Sequence, residues 1–175
     1  MNKLFILIFI AFGLQTDWLN ETKETIVEID KNAVLIDTKV IDEKDGKSTI
    51  TEYKAGEKKK IKVEFVHTKL MDIEMSFYEK NGFVIGEIIN GKDVLLYKRK
   101  RLENEPYATL IDSKTYFKNR TEGINLIRKI NIYEADKIED VRKKLNELEF
   151  ETKNLNGEDY IRMKEKLDRI TKIEK

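Results

Sequence analysis

A chain of 175 residues is about one domain's worth, and 40% apolar against 38% charged residues leave enough for a sheet with one buried face but not for a thick core. Lys and Arg number 34 against 33 Asp and Glu, a net charge of +1, so no charge excess draws the chain to nucleic acid or anionic lipid. The absence of cysteine excludes disulfides, thiol nucleophiles and thiolate metal sites together, without deciding the compartment.

The chain opens with Lys3, an apolar run from Leu4 to Leu14, and polar Gln15-Thr16-Asp17. This pattern predicts a secretory signal peptide over residues 1–17, cleaved somewhere from Gly13 to Asp17. The apolar run is about half of the ~20 residues a membrane span needs, so no stable span is expected.

From Glu24 to Tyr133 apolar residues recur at every second position, as on strands with one wet face. Ile61, Val63 and Phe65 alternate with Lys60, Lys62 and Glu64; Met71, Ile73, Met75 and Phe77 alternate with Asp72, Glu74 and Ser76. The expected strands are 24–30, 33–41, 48–54, 59–67, 70–79, 83–89, 93–100, 108–117 and 124–133. Asp45-Gly46, Asn81-Gly82 and Asn90-Gly91 accept the positive φ angles of tight hairpins and predict antiparallel neighbours. Pro106, within the polar stretch 102–107, predicts a longer loop. Three aromatic strand ends run into turns, at Tyr53, at Phe77-Tyr78 and at Tyr116-Phe117, with unequal spacing that excludes a solenoid.

From Asp136 the period becomes helical. Ile138, Val141, Leu145 and Leu148 form one stripe, with Asp136 and Glu139 as a capping box; after Asn156-Gly157, Tyr160, Met163, Leu167, Ile170 and Ile173 form a second. Residues 136–175 carry 11 charges of each sign. Pairs at i, i+4 such as Glu158–Arg162 support helices by a few tenths of a kcal/mol each.

Little chemistry is spelled out. His67 is the single histidine, and a chain with one histidine and no cysteine cannot build a His-rich or thiolate metal site. Asp72 and Glu74 share a strand face, the arrangement a carboxylate-pair hydrolase uses. A charged ladder with Lys60, Lys62 and Glu64 across a hairpin at His67-Thr68 explains them more simply. The basic runs Lys58-Lys59-Lys60 and Lys98-Arg99-Lys100-Arg101, the latter preceded by Tyr97, read as solvated strand ends or edge gatekeepers. Asn20-Glu21-Thr22 and Asn119-Arg120-Thr121 are sequons that matter only in a eukaryotic secretory pathway. No phosphate loop, nucleophile elbow, zinc-protease motif or acidic calcium loop occurs, so no catalytic, cofactor or metal residue is assigned and no cofactor is implied.

The segments Tyr78-Glu79-Lys80-Asn81-Gly82-Phe83-Val84-Ile85, Tyr97-Lys98-Arg99-Lys100-Arg101, Tyr116-Phe117-Lys118-Asn119 and Leu126-Ile127-Arg128 occur in an order that resembles small uncharacterised exported β-meander proteins of the Bacteroidota. The resemblance covers roughly residues 50–130. It implies an exported hairpin-rich protein and carries over no activity. Asn119-Arg120-Thr121-Glu122-Gly123 departs from the tight Asn-Gly turn of that pattern, and the C-terminal helical pair lies outside it.

The sequence thus predicts an α+β protein: a signal peptide at 1–17, a predominantly antiparallel β-meander over 18–135, and a C-terminal hairpin of two amphipathic helices over 136–175 packed on the same domain. The expected role is an exported, periplasmic or extracellular, non-enzymatic interaction module for an unknown envelope or extracellular protein, with an inhibitor-like role as its sharper form. The rivals are a carboxylate-dependent hydrolase of envelope or extracellular glycans and a small-ligand or lipid carrier.

Overall fold

The structure, a computed structural model, describes residues 2–43, 46–67, 72–95, 106, 108–133 and 137–172. Helix α1 (Asn2–Asn32) is followed by β1 (Val34–Glu43), β2 (Gly46–Ala55), β3 (Lys58–His67), β4 (Asp72–Lys80), β5 (Phe83–Leu95), β6 (Ala108–Asn119) and β7 (Glu122–Ile132). Helix α2 (Ile138–Glu147), β8 (Glu151–Leu155) and α3 (Gly157–Thr171) complete the chain. The eight strands form one antiparallel sheet in sequence order, a pure meander. The α+β character and the antiparallel sheet agree with the sequence pattern, and two turns follow their chemistry. Asn81 and Gly82 have φ of 54° and 73°, and Gly56, φ 61°, opens the turn between β2 and β3.

Several expectations are corrected. Residues 24–30 belong to α1 and not to a strand, because Trp18, Thr22, Ile26, Ile29 and Ala33 recur at three or four residues and form one helical stripe. Asn90-Gly91 is no turn: β5 runs through it, pairing Asn90 with Glu74 and Gly91 with Ile73 before its register to β6 shifts beyond Asn90. A glycine inside a strand marks such an irregularity as readily as a hairpin. The first C-terminal helix starts after Lys137, which makes no side-chain cap, and Asp136 lies outside the described residues. The capping box belongs instead to α3, where Asn156 accepts from the Glu158 and Asp159 amides and Asp159 accepts from the Asn156 amide. Such a cap contributes about 1 kcal/mol. Finally, β8 separates α2 from α3 and pairs with β7, so the two helices do not form a hairpin. Its sequence, Glu-Thr-Lys-Asn-Leu, has no apolar alternation to announce it. Residues 96–100 of the expected strand 93–100, most of the 102–107 loop and Ile173 lie outside the described residues.

Three consecutive residue pairs on adjacent strands organise the packing. In Phe77-Tyr78 of β4, Val84-Ile85 of β5 and Tyr116-Phe117 of β6, one member enters each face of the sheet. Phe77, Val84 and Phe117 join Ile50, Ile61 and Val63 beneath α3, whose Tyr160 stacks on Phe83 and meets Phe117 edge-on, each at 5.2 Å. Tyr78, Ile85 and Tyr116 pack on the other face against Ile26 and Ile29 of α1. Helix α2 shares the face of α1 further along, setting Val141 and Leu145 on Ala108, Leu110 and Ile132. Full burial of each large side chain is worth about 1.5–3 kcal/mol. Two ion pairs fix α3 on its face, Lys164–Glu79 at 2.9 Å and Lys166–Glu87 at 2.6 Å.

Charge fixes α1 as well. Asp30 receives Lys60 Nζ at 2.6 Å and the Tyr78 hydroxyl at 3.1 Å, while Glu28 pairs with Lys58. Burial, reinforced by the adjacent Asp30 charge, pushes the Tyr78 phenol well above its ordinary range, and burial also raises Tyr116. Once the unfolded phenol ionises, above about pH 10, the folded chain still holds its proton, so stability falls as pH rises. Chemical denaturation should therefore show stability declining above about pH 10, with a shallower decline in Tyr78→Phe. Tyr116, Lys62 and Lys164, all raised, keep part of the slope in that variant.

Candidate binding edge

A meander that does not close has two edge strands, and here they are β1 and β8. The β8 edge is short and protected: five residues, of which Glu151, Thr152, Lys153 and Asn154 are exposed polar side chains. The β1 edge is ten residues long. Val34, Leu35, Ile36 and Val40 on it are 63%, 60%, 55% and 51% exposed. Among the described residues nothing pairs with its outer side, so a row of backbone donors and acceptors faces outward between aliphatic side chains.

The strand is held firmly from behind. It leaves α1 after a single residue, Ala33, whose amide still donates to the Ile29 carbonyl at 2.9 Å. The Asp30 contacts therefore set where β1 begins. It pairs with β2 along its whole length, from Val34 opposite Lys54 to Glu43 opposite Gly46. A bulge between Leu35 and Asp37 leaves Ile36 without a counterpart on β2; beyond it the register is regular, with Ile41 turned to the α3 core. The Thr38 amide donates to the Asp37 carboxylate at 2.9 Å.

A second feature is a cleft of about 330 Å³ between α2 and the sheet, lined by Glu74, Asn90, Leu110, Asp112, Leu145 and Asn146 among others. Two carboxylates meet its wall, and each has a cation. Lys62 reaches Glu74 at 3.2 Å and Glu64 at 2.9 Å. Arg128 pairs with Asp112 at 2.8 Å through Nη2 and at 2.9 Å through Nε, while Asp112 Oδ1 is buried without a partner. The same guanidinium donates to the Asn146 carbonyl at 2.9 Å at the end of α2, and lies 4.5 Å from the Phe150 ring centre. The arrangement ties α2 to the sheet.

The expected ladder is present in part: Glu64 stands opposite Glu74 and Lys62 bridges them. Asp72 opens β4 opposite Val66, and His67 closes β3 opposite Gly46; Thr68 lies outside the described residues. The run Lys58-Lys59-Lys60 is ion-paired residue by residue, with Glu28, Glu52 and Asp30. Tyr97 and Lys98–Arg101 lie outside the described residues. The β1 edge escaped the sequence reading for a definite reason. Assigning 24–30 to a strand gave residues 33–41 a neighbour on each side. The helical stripe from Trp18 to Ala33 was the signal that would have exposed it.

Among the described residues no helix is long and apolar enough to cross a membrane and no cluster of His, Asp and Glu is placed to hold a metal ion. No family model, curated protein or solved structure matches the chain.

If Arg128 acts as a staple between sheet and α2, Arg128→Ala should cost about 2 kcal/mol, in the range for hydrogen bonds to a charged group, read as a lowered urea midpoint. An unchanged midpoint would remove it from the account of α2.

Proposed function

We propose that the protein is an exported, non-enzymatic binding module whose working surface is the outer edge of β1, where an extended segment of another polypeptide adds a strand. The observation that carries the reading is the contrast between the two edges. Proteins blunt edge strands with charge, bulges, proline or shortness; both edges carry charge, but β8 is short with its first four side chains polar, whereas β1 runs ten residues and keeps four exposed aliphatic side chains. Strand addition draws affinity from main-chain hydrogen bonds and selectivity from alternate side chains, which is what β1 offers.

Export is supported by the leader pattern of residues 1–17. In the structure α1 continues through the cleavage region, and Trp18, Leu19, Ile26 and Ile29 all lie beyond it, so a chain cleaved there keeps these contacts with the sheet. The other surfaces offered by the sequence are occupied: Tyr160 and Leu167 bury α3 in the core, and helices lie on both faces of the sheet. Against a hydrolase stand the cations on Glu74 and Asp112, and against a lipid carrier the charged and amide groups that line the α2 cleft.

The test is capture of envelope proteins from the native host on the exported chain, comparing wild type with Ile36→Lys and Val40→Lys at the edge and Ile161→Lys on exposed α3. The reading expects one stoichiometric partner that the wild type and Ile161→Lys retain and both edge variants lose. Equal retention by all four would move the binding surface elsewhere.

A further inference from the structure

We propose that the strand seated on the β1 edge is β1 of a second copy, paired antiparallel about a two-fold axis through Thr38. The inference rests on the reading that this edge is the working surface, and it names the occupant.

The argument is the symmetry of the strand's own sequence, Ile36-Asp37-Thr38-Lys39-Val40. Two copies of one sheet edge related by a two-fold axis perpendicular to the sheet keep their faces matched. Residues directly opposite each other then share a face, and the axis must pass through a residue. With Thr38 on the axis, Thr38 meets itself, Asp37 meets the partner's Lys39, Lys39 meets the partner's Asp37, and Ile36 and Val40 meet each other's counterparts. Within these five residues every charge faces its opposite and every aliphatic an aliphatic. Moving the axis by one residue gives Asp37 on Asp37 or Lys39 on Lys39. Cross-strand pairs of opposite charge or of apolar side chains stabilise a sheet, and like charges directly opposite destabilise it, so the sequence selects this register.

The structure puts these residues where the pairing needs them. Asp37 and Lys39 lie opposite Glu52 and Ile50 of β2 and so share one face; Thr38 and Val40 lie opposite Thr51 and Thr49 on the other. From Asp37 onward the strand is regular, and the bulge before it confines clean pairing to the segment around Thr38. Ile36 and Val40 are more than half exposed. Among the described residues Lys39 has no acidic partner within its own chain. The product is a continuous sheet of twice eight strands whose outer edges are the two short polar β8 strands, so assembly stops at two copies.

Charge reversal tests it. Sedimentation equilibrium of the exported chain, in a series reaching about 1 mM, should show dimers. Asp37→Lys alone and Lys39→Asp alone each place like charges opposite each other at both symmetric positions, and should weaken dimerisation on the order of tenfold or more. The double variant exchanges the two charges and should return to within a few-fold of wild type. These residues are on the surface, so circular dichroism should report all three variants folded. A dimer indifferent to the single changes, or a double variant no better than the singles, would overturn the register and the inference. A wild type monomeric throughout the series would overturn self-pairing. If captured host protein still depended on Ile36 and Val40 in that case, the edge would remain the working surface with another occupant; if it did not, both readings would fall together.

Discussion

The structure depends on the alternation of side chains in the three middle strands. A strand points successive residues to opposite faces, so the adjacent apolar pairs Phe77-Tyr78, Val84-Ile85 and Tyr116-Phe117 oblige both faces of β4, β5 and β6 to be covered. One helix cannot do that. The chain supplies α1 ahead of the meander for one face and α3 behind it for the other, and each is pinned by charge at the margin of its apolar contact. Asp30 and Glu28 pin α1, and Lys164 and Lys166 pin α3. A helix has no free backbone groups to offer a strand, and among the described residues nothing pairs with the outer side of β1 or β8.

The same constraint locates the proposed binding edge. Helix α1 must end where its stripe meets Tyr78, Ile85 and Tyr116, and with only Ala33 between them β1 begins there and becomes the first strand of the sheet. Gly86 shows how close that docking is: a Cβ there would stand 2.8 Å from the Thr115 carbonyl and 3.1 Å from Ile26 Cδ1. At the far end the chain adds five polar residues of β8 beside β7 before turning into α3. One edge is thus short and polar and the other long, with four exposed aliphatic side chains, within one sheet and one sequence.

Much of this was legible from residue order. The two-residue alternation gives seven of the eight strands, Asn81-Gly82 gives its turn, and the Tyr160 to Ile170 stripe gives α3. What was not legible has physical causes. Ile26, Val27 and Ile29 satisfy a strand pattern and a helix pattern alike over seven residues, and only the longer run back to Trp18 separates them. Asn90-Gly91 reads as a hairpin, yet β4 offers a partner on through Asp72, and the ladder continues past it. Strand β8 is recruited by the backbone of β7 and leaves no periodic trace. Nor could the Arg128 bond to the end of α2 be read, since it joins residues 18 apart across a loop whose path composition does not specify.

The most direct measurement is residue-resolved amide hydrogen exchange across Val34–Glu43, made on the chain first dilute and then with the edge occupied. Alternate β1 amides should exchange quickly in the dilute chain, while their β2 neighbours are slow, and should become protected on occupancy with β8 unchanged. If the β1 amides kept one rate in both states while protection rose on another surface, the edge would be no binding surface and the account would fail at its centre.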